Sequence, residues 1–251
     1  MGDIGSAIAA LRRATAPGAE EKALARIASE PMQKRAMDQF RKAVEKAPDI
    51  RTALRDPRIL QVVTTALGIP EGVDQAGLAI QALLSDPKDP KSLVNRLADT
   101  RWKAAAEALQ LGTQGLDALK NPKVQATLDE GLQRARWRDD LETQQTGLGD
   151  VILFRERAGK VGGNVYNVLG DPIMRRVVTS ALGLPLTIAI QPVETQARAV
   201  TSRYKLDNFN KPKEVEKLSE RYLLNIALQE ADDGGTSAMA MLGWSSGGFS
   251  V

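Results

Sequence analysis

The feature that most constrains this chain is a phrase that occurs twice. Residues 56–70 read DPRILQVVTTALGIP and residues 171–185 read DPIMRRVVTSALGLP, aligned without gaps and 115 residues apart. Each phrase spells a helix with its own start and stop. The Asp carboxylate accepts from backbone N–H groups that lack partners in a first turn, and the Pro after it lacks only an N–H that would go unused there. Ile59, Val62, Val63, Ala66 and Leu67 then follow at the i, i+3, i+4, i+7, i+8 spacing of one buried stripe, and Met174, Val177, Val178, Ala181 and Leu182 repeat it. Burying the larger side chains of such a stripe stabilises by roughly 1.5–3 kcal/mol each. Gly68 and Gly183 suit the left-handed residue that ends a helix, and Pro70 and Pro185 prevent its resumption. Asp56, Pro57, Gly68, Pro70, Asp171, Pro172, Gly183 and Pro185 are therefore the residues the sequence singles out, in a structural role.

The correspondence extends outward. Ile50 and Leu54 match Val165 and Leu169, and Phe40 and Phe154 precede their Asp-Pro pairs by nearly equal distances. The expected fold class is all-α, a multi-helix bundle containing two copies of a related helical unit, packed with pseudo-twofold symmetry. The expected segments are an N-terminal helical extension at 1–30, a first unit at 31–112, a connecting long helix at 113–149, a second unit at 150–231 and a flexible Gly- and Ser-rich tail at 232–251. Two copies are too few for a long solenoid.

The same grammar sets the other elements. Asp3 caps a helix with Ile4, Ile8 and Leu11 on one face, interrupted at Pro17 and Gly18. A helix over 31–47 turns Met32, Ala36, Phe40 and Val44 inward. Asp74 caps a helix over 75–84, Asp89 and Pro90 open one over 90–98, and a run through Trp102, Ala105, Ala106 and Leu109 stops near Gly112. Asn121 and Pro122 open a long helix through Val124, Leu128 and Leu132. Residues 151–154 read equally as a strand or a buried helix, and Gly159, Gly162 and Gly163 break the chain after them. A helix over 192–203 precedes a final one opened by Lys211 and Pro212, which gives way to a mobile tail from Gly234.

Composition narrows the chemistry. Aromatics are 4% of the chain, so the core is built from Ala, Leu, Val and Ile, which lets helices approach closely. A net charge of +3 makes no strong field for nucleic acid or an anionic surface. The absence of Cys excludes disulfides and thiol chemistry, and the absence of His removes the usual general base and the commonest zinc ligand. No catalytic residue, cofactor or metal is expected. Gly243, Ser245 and Gly247 match the spacing of a nucleophile elbow but lack the strand and helix that would frame it. Residues 159–163 lack the Lys-Ser/Thr pair of a phosphate loop, and Asp232 with Asp233 lacks the alternating ligands of a calcium loop. Arg134, Arg136, Trp137 and Arg138 could stack on a base and neutralise phosphates, but Asp139, Asp140 and Glu142 beside them favour helix-surface ion pairs. Nucleic acid is not an expected partner. The apolar runs are shorter than a membrane span, and the first residues lack a cleavable secretory signal.

Several of these residues also carry a likeness. Asp56, Pro57 and Arg58 with Ala66 to Pro70, Asp86 and Pro87 with Ser92 to Asp99, and Arg101 with Trp102 resemble the domain-of-unknown-function 1217 family. The second phrase, followed by Ala199 to Ser202 and by Tyr222 and Leu223, fits the same pattern, so the resemblance covers most of residues 30–230. It implies a helical protein of alphaproteobacteria, associated with flagellar genes and without catalytic residues to carry over. The function it implies is non-enzymatic, in flagellar structure or assembly through helix-mediated protein contacts. The alternatives are a cytoplasmic adaptor or export chaperone for an axial protein and, third, an enzyme without His or Cys. Expected partners are other proteins, flagellar components among them, with a homo-oligomer left open and no membrane span. The expected location is the cytoplasm, or the flagellum by export without a cleaved signal. The expected contact surfaces are the helices within residues 1–47 and the C-terminal tail, with Met239, Met241, Leu242, Trp244 and Phe249.

Overall fold

The computed structural model describes residues 4–241, with side chains from Gly5 to Ala231, and every regular element among them is an α-helix or a 3-10 turn. Helices α1 (Ile4–Ala14) and α2 (Ala19–Ser29) turn at Gly18, whose φ of +76° a side chain would resist. Ala7, Ala10, Leu11 and Ala14 are the buried face of α1, so Ile8 is only half-buried, not central as its spacing predicts. Asp3 lies outside the described residues. In α3 (Pro31–Lys46) the buried stripe is Gln33, Met37, Phe40, Ala43 and Val44. Met32, expected inward, is exposed: it sits about 100° round the helix from Gln33.

Each Asp-Pro phrase folds by its local rules. Helix α4 (Ile50–Arg55) is capped by Asp49, which accepts from the Thr52 N–H at 2.9 Å. Helix α5 (Pro57–Ala66) is capped by Asp56 on the Arg58 N–H at 2.9 Å, and it ends at Gly68 with φ +74° before a 3-10 turn, Pro70–Val73. After α6 (Ala76–Leu83) come α7 (Arg101–Leu109), α8 (Leu111–Gln114), α9 (Leu116–Lys120) and the long α10 (Pro122–Gln144). Gln75, not Asp74, stands at the start of α6. Helix α11 (Leu148–Ala158) resolves the strand-or-helix ambiguity at 151–154 in favour of a buried helix. Helix α12 (Val165–Gly170) leads into α13 (Pro172–Ala181), where Asp171 accepts from the N–H groups of Ile173 at 2.9 Å and Met174 at 3.2 Å. A 3-10 turn (Leu186–Ile190), α14 (Val193–Thr201), a second turn (Leu206–Asn210) and α15 (Pro212–Met241) complete the order.

No α-helix forms over 90–98; only Leu93–Asn95 coil, as a 3-10 turn. Asp86 and Asp89 instead accept from the N–H groups of Lys88 and Lys91, and Asn95 Nδ2 donates to the Pro87 and Asp89 carbonyls at 2.8 Å each. Short polar side chains thus offer the backbone partners that compete with a helix. At the other end, α15 does not stop before Gly234 but runs to Met241.

The apolar side chains gather in two clusters. One joins α3 to α9 with the start of α10, from Met37 and Phe40 to Leu128 and Leu132. The other joins α1 and α2 to the end of α10 and to α11–α15, from Ala7 and Ile27 through Trp137, Phe154 and Leu223. Helix α10 therefore spans both. Helices α4 and α12 are six residues each and α5 and α13 ten each. Each Asp-Pro helix packs on the helices before it, α3 and α4 or α11 and α12, but α5 lies under α10 whereas α13 lies under α15.

The α5–α10 crossing yields a test of sign. In an exposed helix, replacing a glycine by alanine stabilises by about 1 kcal/mol. Gly131 of α10 faces α5 so closely that a Cβ would overlap the Ala66 carbonyl. Gly131→Ala is expected to destabilise instead, by about 1–3 kcal/mol, read as a lower urea midpoint at unchanged slope.

Candidate functional site

The stop of the first phrase and the start of the second meet at one guanidinium. Arg157, in the last turn of α11, donates from Nη1 to Asp171 Oδ2 at 2.7 Å and from Nη2 to the Gly68 carbonyl at 3.0 Å. Arg101, at the first position of α7, donates from Nη1 to the same carbonyl at 2.9 Å and from Nε and Nη2 to Asp99 at 2.9 and 2.7 Å, and it also pairs with Glu71. The side chains of Arg101, Arg157 and Asp171 are nearly all enclosed. Burial works against the Arg101 charge, but Asp99, with Asp171 and Glu71, more than offsets it, and the guanidinium is held above its ordinary value.

Of the eight residues singled out in the sequence, the structure brings Gly68 and Asp171 together and leaves the others at local posts. Pro57 and Pro172 occupy first helical positions, Pro70 opens a 3-10 turn and Pro185 precedes one. Asp56 holds Arg58 at the surface, at 2.9 Å and 2.5 Å. Gly183, φ +64°, has nothing within 4 Å of where its Cβ would stand. A twofold relation between the phrases would put a counterpart of Arg157 on Gly183, so the junction is one-sided. Sequence reasoning missed Arg157, because no local pattern links it to a carbonyl so far back in the chain.

Arg101 and Arg157 form one wall of a cleft of about 520 Å³, with Lys103, Lys160, Glu107 and Asn167 also lining it. Both guanidiniums are already spent on protein acceptors. A second polar group lies under α15: Tyr222 donates its hydroxyl to Asp150 Oδ2 at 2.8 Å, and Arg176 Nη1 donates to the same oxygen at 2.7 Å. Burial first, then Asp150, raises the Tyr222 hydroxyl well above its ordinary value. Tyr204, whose hydroxyl is buried without a hydrogen-bond partner, is pushed up to about 12 by burial and Glu214. Neither phenol exchanges a proton near neutrality, where a general acid or base would work best.

The basic cluster on α10 is tied up in ion pairs other than those with the acids beside it, including Arg134 with Glu130 of the same helix at 2.9 Å. Arg134 donates to Glu20 at 3.0 Å, Arg136 lies 3.9 Å from Glu30 and Arg138 lies 3.8 Å from Glu156. Trp137 is in the core. The apolar faces of α1–α3, expected as contact surfaces, are buried within the chain itself, at Ala7, Leu11, Ile27, Met37 and Phe40. The side chains of Met239 and Met241, and residues 242–251 with the elbow-like motif, lie outside the described region. Among the described residues no group of three or more carboxylates is placed to hold a metal ion, and no helix is long and apolar enough to cross a membrane.

Among the described residues, the Gly183 end of α13 is left uncovered. There α13, α15 and the turn Leu186–Ile190 line a groove of about 660 Å³, with Thr179, Leu184, Ile188, Ile226 and Leu228 among its walls. Leu186 is 84% exposed and Ile190 82%. Sequence reading does not single out this turn, because an apolar five-residue run reads as core until its neighbours are known.

No curated protein matches the chain. A crystal structure of a protein from Agrobacterium tumefaciens superposes with a TM-score of 0.73 over 90% of this chain and 95% of its own, at 18% identity, a likeness of fold. Residues 76–215, more than half of the chain and including Arg101, Arg157, Asp171 and the open groove's α13 wall, match the family described as "Protein of unknown function (DUF1217)", and the protein belongs to that family.

Proposed function

We propose that this protein is non-enzymatic and works through protein contacts, in the structure or assembly of the bacterial flagellum. The observation that supports a contact role is the exposure of Leu186 and Ile190 beside an apolar groove, since apolar patches of this kind mark interaction sites. The flagellar setting rests on the resemblance carried by the two Asp-Pro phrases and by residues 86–102. The proposal includes a duplicated helical unit, supported by the matched lengths and caps of α4–α5 and α12–α13.

Immunodetection in isolated hook–basal bodies, cytosol and culture medium tests this reading, in wild-type cells and in cells lacking flagellar export. Enrichment in the isolated structures, lost without export, is the expected result. Protein confined to the cytosol in both strains would favour an adaptor for an axial protein. Intact motility after deletion, together with absence from the structures, would remove the flagellar reading.

A further inference from the structure

The two phrases end in the same chemistry but in different surroundings. Thr64 and Thr179 stand at matching positions, and each hydroxyl donates to the carbonyl four residues back at 2.8 Å, Leu60 and Arg175 respectively. That bond spends the hydroxyl and leaves the methyl to pack. In the first half, Thr64 is fully buried, and its methyl and the Trp102 indole both crowd Gly72 in the following turn. In the second half, Thr179 lines the open groove and the following turn exposes Leu186 and Ile190. The groove therefore has the place and the lining that an aromatic ring fills in the first half.

The chain carries a candidate of its own. The groove's outer wall is α15, at Ile226, Leu228 and Gln229, and α15 leads directly into residues 242–251, LGWSSGGFSV. From Gln229 to Met241 the helix rises about 18 Å. Folding back over that distance is out of reach for Trp244, whose three residues span about 10 Å, but not for Phe249, whose eight span about 27 Å. The residues between the two aromatics are Ser and Gly. We infer that residues 242–251 dock back into the groove between α13 and α15, with Phe249 as the anchor over Thr179, Leu184 and Ile188. The segment then acts as an internal occupant that a partner protein must displace. That regulatory role rests on the contact function proposed above; the docking itself does not.

The chain has no cysteine, so introduced pairs report cleanly. In the full-length protein, Thr179→Cys with Gly248→Cys should form an intramolecular disulfide roughly tenfold faster than Ala231→Cys with Gly248→Cys, because docking raises the local concentration of one thiol at the other. Ala231 is exposed on α15, outside the groove and within reach of Gly248, so its pair measures random encounter. Adding Leu186→Asp and Ile190→Asp, both at exposed positions, should bring the first rate down to the second. Equal rates in the two pairs would overturn the inference. A disulfide that links two chains would overturn it too, in favour of a second copy as occupant. Neither outcome bears on where the protein resides in the cell, which the fractionation decides.

Discussion

Arg157→Ala is expected to lower the stability of the protein by about 3–5 kcal/mol, measured by urea denaturation. Among the described residues, the guanidinium supplies the one ion pair made by Asp171 and one of two side-chain donors to the Gly68 carbonyl. With the side chains of Arg157 and Asp171 only 15% and 6% exposed, truncation leaves an enclosed carboxylate without its direct partner, with only the nearby Arg101 charge in compensation. Such a loss costs more than the pair itself contributes, because the remaining charge keeps its desolvation penalty. The Asp171 hydrogen bonds to Ile173 and Met174 survive and moderate the effect. Arg157→Lys should fall between, since an ammonium cannot span a carboxylate and a carbonyl as a planar fork does. Because the bond to Gly68 crosses from one core to the other, a double-mutant cycle with Asp171→Ala separates the two contacts. A loss below about 1 kcal/mol would show that water replaces the bridge at no great cost.

Phe154→Ala should cost a comparable 3–5 kcal/mol, the range for emptying an aromatic site in a packed core. The ring is fully buried, meets Phe209 edge-on with centroids 6.2 Å apart, and Phe209 in turn packs on Tyr204 at 5.0 Å. The neighbouring Phe209 ring is itself held by Tyr204 on its other side, which limits how far it can move to fill the gap. The second core should weaken first. Since α10 contributes Leu128 and Leu132 to one cluster and Trp137 and Leu141 to the other, unfolding is expected to remain a single step at a lower midpoint. Phe40→Ala, in the first core, should do the same. Circular dichroism resolving two separate steps would show instead that α10 does not couple the cores.

The elements most legible in the sequence are those whose physics is local. An Asp before Pro, an apolar stripe at helical spacing and a closing Gly each act within a turn or two, so α5 and α13 could be read directly. The all-helical class followed from the same stripes. Where several local rules compete, the reading failed: the carboxylates of Asp86 and Asp89 and the amide of Asn95 took the backbone of 90–98 away from a helix. Orientation was weaker still. Met32 and Gln33 differ by one position, and which of them points inward depends on where α10 lies.

The chain by itself determined where the two Asp-Pro helices start and stop, and it marked Gly68 and Asp171 as structural posts before any contact was known. Only the tertiary structure decided that these two share Arg157, that the matching Gly183 is bare, and that Leu186 and Ile190 face outward. The reason is range. Caps, stripes and turns are satisfied by neighbours a few residues away. A guanidinium enclosed between two cores, or an apolar turn left open by the described residues, is defined by surfaces that meet only after the chain has folded.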